Sequence, residues 1–553
     1  MIRRLKSQAS TLGAISLVSL CVVLPFLKYG IPSGHDFEFH FNSWIEVVNH
    51  WKQGVWYPHW AALAHYGYGE ARFIFYPPLS WTFGAVLGLV LPWKLVCGAY
   101  IWIVLTLAGC SMFVLARHWL SRRDAMFAAI VYAVNPYHLL IVYWRSAMAE
   151  LMAAIYLPLL LLLVLRSEDE GSRIVVPLSL LMAAGWLTNL PAAVMMTYSL
   201  GLLAVCAALA RRSIRPIAYC SIAAIIGAAL AGFYLAPAYH QQTWVNIGQV
   251  FGPGVRPQDN FLFTMSDDLD HNRFNLLVSV VALWVIVITA VAMFFSRRRG
   301  NRMMSWLMAG WSVFCTALML RPTLFFWMHL PELRFVQLPW RWLLCLNLVF
   351  ALALSMALRR WWLRGLICAV MLGVVLLVGH RVQPPWWDTA ADINEMVENQ
   401  HEGIGNEGTD EYVPAGTDPY EIDQKAPLVR FEETGGAPIR IDKWQSERRE
   451  ITANTRASGK LILRLFNYSL WRVLVNGRPV KTETTVPAGQ LVVPVTAGEN
   501  HVRIKFIDDP DRTTGFIIST CAFVVLLLWF FISRKLSSLP LRPKPTPRTE
   551  TPL

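Results

Sequence analysis

Charge is scarce in this chain. Asp, Glu, Lys and Arg make up 15% of 553 residues, against 55% hydrophobic residues. That balance excludes a soluble globular domain and is the composition of a polytopic membrane protein. Cysteine is absent between Cys368 and Cys521, so the polar stretch between them has neither a disulfide framework nor thiolate ligands for zinc. All nine cysteines lie in or beside apolar runs. His-x-x-Glu-His spacing is also missing, and with it the usual helical zinc signature. There is no long block of one sign either. The net charge of +13 comes largely from short basic clusters between apolar runs, among them Arg117 to Arg123, Arg211 to Arg215 and Arg359 to Arg364. Clusters of that kind mark cytoplasmic loops and give no reason to expect a nucleic-acid partner. The N-terminal apolar run lacks a small-residue cleavage pattern and reads as an uncleaved first span.

What the sequence has in abundance is apolar runs near the ~20-residue length that crosses a bilayer. Twelve are expected, at 10–29, 97–116, 125–143, 150–165, 174–188, 191–210, 216–236, 274–296, 303–320, 342–358, 364–380 and 514–533. The stretch from Pro78 to Pro92 is short and opens on a double Pro. Counting it as a span would place every later basic loop outside, so it reads as a juxtamembrane or re-entrant helix. Both termini are then cytoplasmic. The expected fold class is mainly α: about twelve transmembrane helices, juxtamembrane helices in the first external loop, and a small external β-sandwich-like domain. The domains follow as a membrane unit over 1–380, an external segment over 381–513, a last span over 514–533, and a disordered tail over 534–553 with five Pro in its last twenty residues. From about 449 the external segment alternates apolar and polar residues, as in KLILRLF and WRVLVNGRPV. Asn476-Gly477 is a strong hairpin signal there.

The first external loop, 30–96, concentrates the chemistry. His35-Asp36-Phe37-Glu38 leads into His40, then Trp44, Trp51, Trp56, Tyr57 and Trp60, and ends at Tyr76-Pro77-Pro78. Asp36 and Glu38 read either as a catalytic pair, one a general base or both holding a divalent cation, or as solvated loop acids. Glu150 opens a span, where it is either favourable helix-start charge or a further acid facing this loop. Arg145 and Arg341 lie on the external side, against the inward bias of basic residues. Their forked guanidinium groups suit a phosphate; the alternatives are snorkelling, or pairing with Glu150 or Glu332. His35, His40, His59 and His65 invite a metal, with His40 one helical turn from Asp36, but the spacing supports no metal site. Asp267, Asp268 and Asp270 beside Arg273 read as a solvated loop.

The acidic loop after the first span, Tyr76-Pro77-Pro78-Leu79, Asn135-Pro136-Tyr137 leading to Arg145 and Glu150, and Leu338-Pro339-Trp340-Arg341 together resemble the GT-C class of membrane glycosyltransferases. More narrowly the chain resembles the bacterial membrane proteins labelled 6-pyruvoyl-tetrahydropterin-synthase-related, in most of 10–380 and in the Trp471 to Gly477 region. Nothing resembles the soluble pterin enzyme's zinc site. The resemblance implies a multi-pass protein of the bacterial inner membrane and a polyprenyl-phosphate sugar donor. It implies a glycan, lipid or protein acceptor in the cell envelope, and inversion at the anomeric carbon. Asp36 would then be the base, with Glu38 and Glu150 orienting substrates or a cation. Arg341 and Arg145 would meet the leaving phosphate, and His40, Trp44, Trp56 and Tyr76 would line the sugar site. Two other functions fit the same features: a transporter or flippase for lipid-linked saccharide, and a non-catalytic glycan-binding protein of envelope assembly.

Overall fold

The computed structural model describes residues 2–297, 302–381, 387–432 and 438–538. The fold is mainly helical. Among the described residues, eight helical stretches are long and apolar enough to cross a membrane. The number rises to ten if each of two sharply bent pairs is one span: Arg215–Leu230 with Gly232–Trp244, and Arg302–Leu318 with Arg321–His329. Two elements account for the difference from the twelve expected. Met148–Thr188 registers as one 41-residue stretch. It nevertheless reverses at the 3-10 turn Gly171–Ile174, because the hydroxyls of Tyr156 and Thr188 lie 2.9 Å apart. In a straight helix those residues would stand about 48 Å apart. The other element is Trp361–Leu377, apolar but shorter than a span, as is Pro78–Val90.

The polar segment before the last helix carries a helix, Ala390–His401, whose Thr389 and Asp392 form a capping box. Two antiparallel sheets follow. One orders Val429–Phe431, Gly459–Phe466, Gln490–Val495 and Glu483–Thr484; the other orders Ile439–Trp444, Arg448–Thr455, Gly498–Phe506, Trp471–Val475 and Arg478–Pro479. Strands thus begin before residue 449. Asn476 and Gly477 both take positive φ and join Val475 to Arg478, as a two-residue hairpin requires. The buried faces of both sheets share one apolar cluster with Trp60, Tyr68, Ile74 and Phe75 of the first loop. The final helix continues to Ser538. The tail from 539 onward and residues 382–386, near the start of the segment expected over 381–513, lie outside the described residues.

A strap at 402–417 ties the first loop, 30–96, to residues 244–246. Its Asn406 N–H donates to the Leu63 carbonyl at 3.0 Å, and its Tyr412 carbonyl accepts from Ala71 at 3.2 Å. On its other side Val413 accepts from Asn246 at 3.0 Å and Ala415 donates to Trp244 at 2.9 Å. Glu70 is wholly buried and fixes the strap. Its carboxylate accepts from the Thr409 backbone at 2.7 Å and hydroxyl at 3.1 Å, from Arg72 Nε at 2.5 Å, and lies 3.0 Å from His65 Nε2. Burial alone would raise this carboxyl; Arg72, His65 and the Thr409 N–H outweigh it and hold it at about 2.

Candidate functional site

The first loop folds into the helix Phe37–Lys52, with Asp36 at its N-cap position. Phe37, Phe41, Trp44, Ile45 and Val48 recur at helical spacing and are buried in the core. Trp44 is fully buried, stacked on Tyr100 at 5.1 Å and 16°, and a side chain at Gly84 would collide with its indole. It packs the core and does not reach the cavity described below. Trp56 is 78% exposed and also lies away from it. The sugar-stacking parts expected of these two tryptophans therefore do not fit their positions. Nor do Asp36 and Glu38 converge. Residues two apart on a helix point to opposite sides; Glu38 is exposed and its charge acts on Asp388, whereas Asp36 faces Arg145. The divalent-cation site expected at this pair is not formed.

Asp36 is held by backbone. Its N–H donates to the Arg145 carbonyl at 2.9 Å, Gly34 N–H donates to Ser146 Oγ at 3.1 Å, and that hydroxyl donates to the Pro32 carbonyl at 2.9 Å. Gly34 has to be Gly, since a Cβ would come within 2.6 Å of the Arg145 carbonyl carbon. Arg145 closes a π-helical turn, Ile141–Arg145, and Ser146 turns the chain with left-handed φ of 51°. The π turn aims Arg145 back at Asp36, whose carboxylate is 3.8 Å from Arg145 Nη2.

Behind this contact sits a buried charge cluster. Arg145 Nη1 donates to Glu150 Oε2 at 2.5 Å, and Arg341 Nε lies 3.2 Å from the same oxygen, an ion pair without hydrogen-bond geometry. Tyr137 Oη donates to Glu150 Oε1 at 2.5 Å. Tyr137 is placed by the Asn135 side chain, which accepts from its N–H at 3.0 Å, with Pro136 in the first helical position. Glu150 is thus the shared counter-ion of two arginines, 1% exposed and saturated, and not a free acid. Arg341 Nη1 also donates to the Val336 carbonyl at 2.8 Å and to Gln337 Oε1 at 3.0 Å. Nη2 of Arg341 has no hydrogen bond among the described residues. Two guanidinium groups thus share one buried carboxylate, and the second carboxylate, Asp36, is half-exposed and only loosely paired.

One cavity of about 810 Å³ connects these groups. Asp36, His40, Tyr76, Arg145, Glu150 and Arg341 all line it. The remainder of its wall is largely apolar, including Trp186, Leu190, Val194, Leu235 and Tyr239. Burial lowers the His40 imidazole to about 4, with Arg72 and Arg145 adding to the shift and Asp36 opposing it, so the ring is neutral at physiological pH. Burial also pushes the Tyr76 phenol up. His59 and His65 pair with Glu447 and Glu70 instead. Among the described residues, no three His, Cys, Asp or Glu side chains gather as a metal would require. Asp268 caps the helix Leu269–Ser296, and Asp270 pairs with Arg273 at 2.9 Å.

The cavity also holds groups that sequence reasoning gave no role: Phe39, Thr409, Glu411 and Tyr412. Enclosure raises the Glu411 carboxyl to about 7, with Glu70 and Asp410 adding to the shift and Arg72 opposing it. Phe39 was legible as a neighbour of Asp36. The strap residues carry no spacing signal, since contact across more than 300 positions decides their place.

The family model for the 6-pyruvoyl-tetrahydropterin synthase related domain, a membrane protein, matches residues 73–383. The chain belongs to this family. The stretch characteristic of these 6-pyruvoyl-tetrahydropterin synthase related membrane proteins includes Tyr76, Arg145, Glu150 and Arg341; Asp36 and His40 precede it, and Glu411 follows. No curated protein matches the chain. Among solved structures, the oligosaccharyltransferase of Archaeoglobus fulgidus in its apo form is similar at 13% identity and TM-score 0.43, over 75% of this chain and 61% of that one. The same enzyme in complex with Zn and sulfate is similar at 14% identity and TM-score 0.36, over 72% and 53%. The chain therefore matches only about three-fifths of that protein's length. Superpositions this loose carry no weight for the chemistry.

Proposed function

We propose that this chain is a membrane glycosyltransferase of the GT-C type, moving a sugar from a polyprenyl-phosphate-linked donor to a cell-envelope acceptor on the external face of the bacterial inner membrane. One observation carries the reading: a half-exposed carboxylate, Asp36, shares a cavity with a buried arginine pair, and the rest of that cavity is largely apolar. The arginines suit the donor's phosphate, and the apolar wall suits the start of its lipid. Asp36 takes the proton from the acceptor hydroxyl, whose oxygen attacks the anomeric carbon. The bond from that carbon to the phosphate oxygen breaks, and polyprenyl phosphate leaves with the electron pair and inversion of configuration. Arg341 and Arg145 stabilise the charge that develops on the leaving oxygen. Glu150 acts at one remove, by holding both guanidinium groups in place.

In this reading the chain crosses the bilayer twelve times with both termini in the cytoplasm. Residues 381–513 and the loop 30–96 then share the external side with the cavity. Comparing cell-envelope glycans by mass spectrometry with and without the gene tests the proposal. An unchanged glycan profile in the deletion strain, with no sugar transfer by purified protein from polyprenyl-phosphate sugars, overturns it.

A further inference from the structure

Part of the cavity wall has no role in the mechanism above. His40, Phe39, Tyr76, Glu411 and Tyr412 line it alongside the arginine pair. Their rings form a continuous row: Phe39 to Tyr76 at 4.7 Å, His40 to Tyr76 at 5.8 Å, and Phe39 to Tyr412 at 6.5 Å. His40 is 2% exposed, yet its ring has no hydrogen bond or ion pair among the described residues. Its nitrogens are not sealed from the cavity, which is where a partner would be supplied. The Glu411 carboxylate, half-buried on the strap, accepts from its own backbone N–H and has no hydrogen bond to another residue among the described residues.

We infer that this wall is a binding subsite for the acceptor, and that the acceptor presents a sugar ring. The inference rests on the transferase reading and names the acceptor class within it. The combination selects among acceptors. The rings meet edge-on or tilted rather than as one flat platform, and an aromatic ring at a cavity wall takes the C–H-bearing face of a pyranose. A neutral imidazole both donates to and accepts from hydroxyls, and a carboxylate accepts two or more. A lipid chain would leave His40 and Glu411 unsatisfied. A peptide serine or threonine would give the aromatic row no ring to cover. Asp36, one helical turn from His40, stands where one hydroxyl of such a ring would be deprotonated. Glu411 and Tyr412 come from the external strap, so the segment that closes the cavity also recognises the acceptor.

The test uses the full-length protein in lipid nanodiscs with the methyl glycosides of glucose, mannose and galactose as probes, followed by saturation-transfer NMR. At least one glycoside is expected to receive saturation from the wild type. The signal should fall at least about tenfold in Glu411→Gln and in His40→Phe, with thermal midpoints unchanged, and should persist in Trp56→Ala, whose indole is exposed elsewhere. No signal from any of the three in the wild type, or equal signals in the wild type and both cavity variants, overturns the subsite. The outcome is separable from that of the transferase reading. Glycoside binding with the expected losses, in a protein that transfers no sugar, leaves the subsite standing and removes the enzyme. Transfer in a protein that binds none of the glycosides does the reverse.

Discussion

Asp36 and Arg145 meet twice, once through backbone at 2.9 Å and once through their charged groups at 3.8 Å. The first contact fixes where the carboxylate stands, and it survives any change of side chain. The second is long enough to leave the carboxylate oxygens open to another proton donor.

Asp36→Asn is therefore expected to fold and insert normally while transfer falls by about 10²–10⁴-fold, the usual worth of a positioned general base. Radiolabelled polyprenyl-phosphate sugar and membranes from a deletion strain provide the measurement. Product formation at the wild-type rate removes Asp36 from the chemistry.

Arg341→Ala takes away the guanidinium with an uncommitted nitrogen, while Glu150 keeps Arg145 and Tyr137. A hydrogen bond to a charged group contributes about 1.5–3 kcal/mol, or roughly 10- to 150-fold in donor affinity. The donor KM should rise by that factor with the acceptor KM unchanged. An unaltered donor KM contradicts a phosphate role.

Glu150→Gln strips both arginines of their shared counter-ion inside the helices. Breaking a buried ion pair from one side costs about 3–5 kcal/mol, so a large fall in thermal midpoint is expected, beyond that of Tyr137→Phe, which removes one hydrogen bond to a charged group, about 1.5–3 kcal/mol. Equal midpoints for the two variants would show that Glu150 does not anchor the pair.

Acid should loosen the strap through Glu70. Its carboxyl is held at about 2 in the folded chain against an ordinary 4.5. The folded state thus favours the ionised form, and the stability it contributes is present above about pH 4.5 and lost as pH falls toward 2. Hydrogen exchange of the amides at 409–413 should speed up across that window, and Glu70→Gln should show fast exchange at neutral pH. Exchange in Glu70→Gln that stays as slow as in the wild type contradicts the latch.

The sequence revealed these features unevenly, for physical reasons. Spans show because lipid demands about twenty apolar residues in a row, and the Asn476-Gly477 hairpin shows because few residues accept positive φ. Arg145, Glu150 and Arg341 stood out because charge at a membrane face needs a reason. Pairing with Glu150 was one of the alternatives for these arginines and is what the structure shows; that one carboxylate serves both could not be decided from sequence, because their meeting depends on how distant helices pack. The Asp36/Glu38 pair misled because closeness in sequence was read as closeness in space, and a helix parts residues two apart. Trp44 misled because an indole in an external segment looks like a ligand platform until the glycine beneath it, Gly84, is known to be its slot.

The strap has a consequence for how the molecule matures. Asp36 and Arg145 leave the ribosome early, whereas Thr409 to Tyr412 follow Asp36 by about 370 positions. Until they arrive, one side of the chamber stands open to bulk water. Under the proposed function, a copy that ends before the strap would carry both arginines and lack Glu411 and Tyr412 of the same cavity.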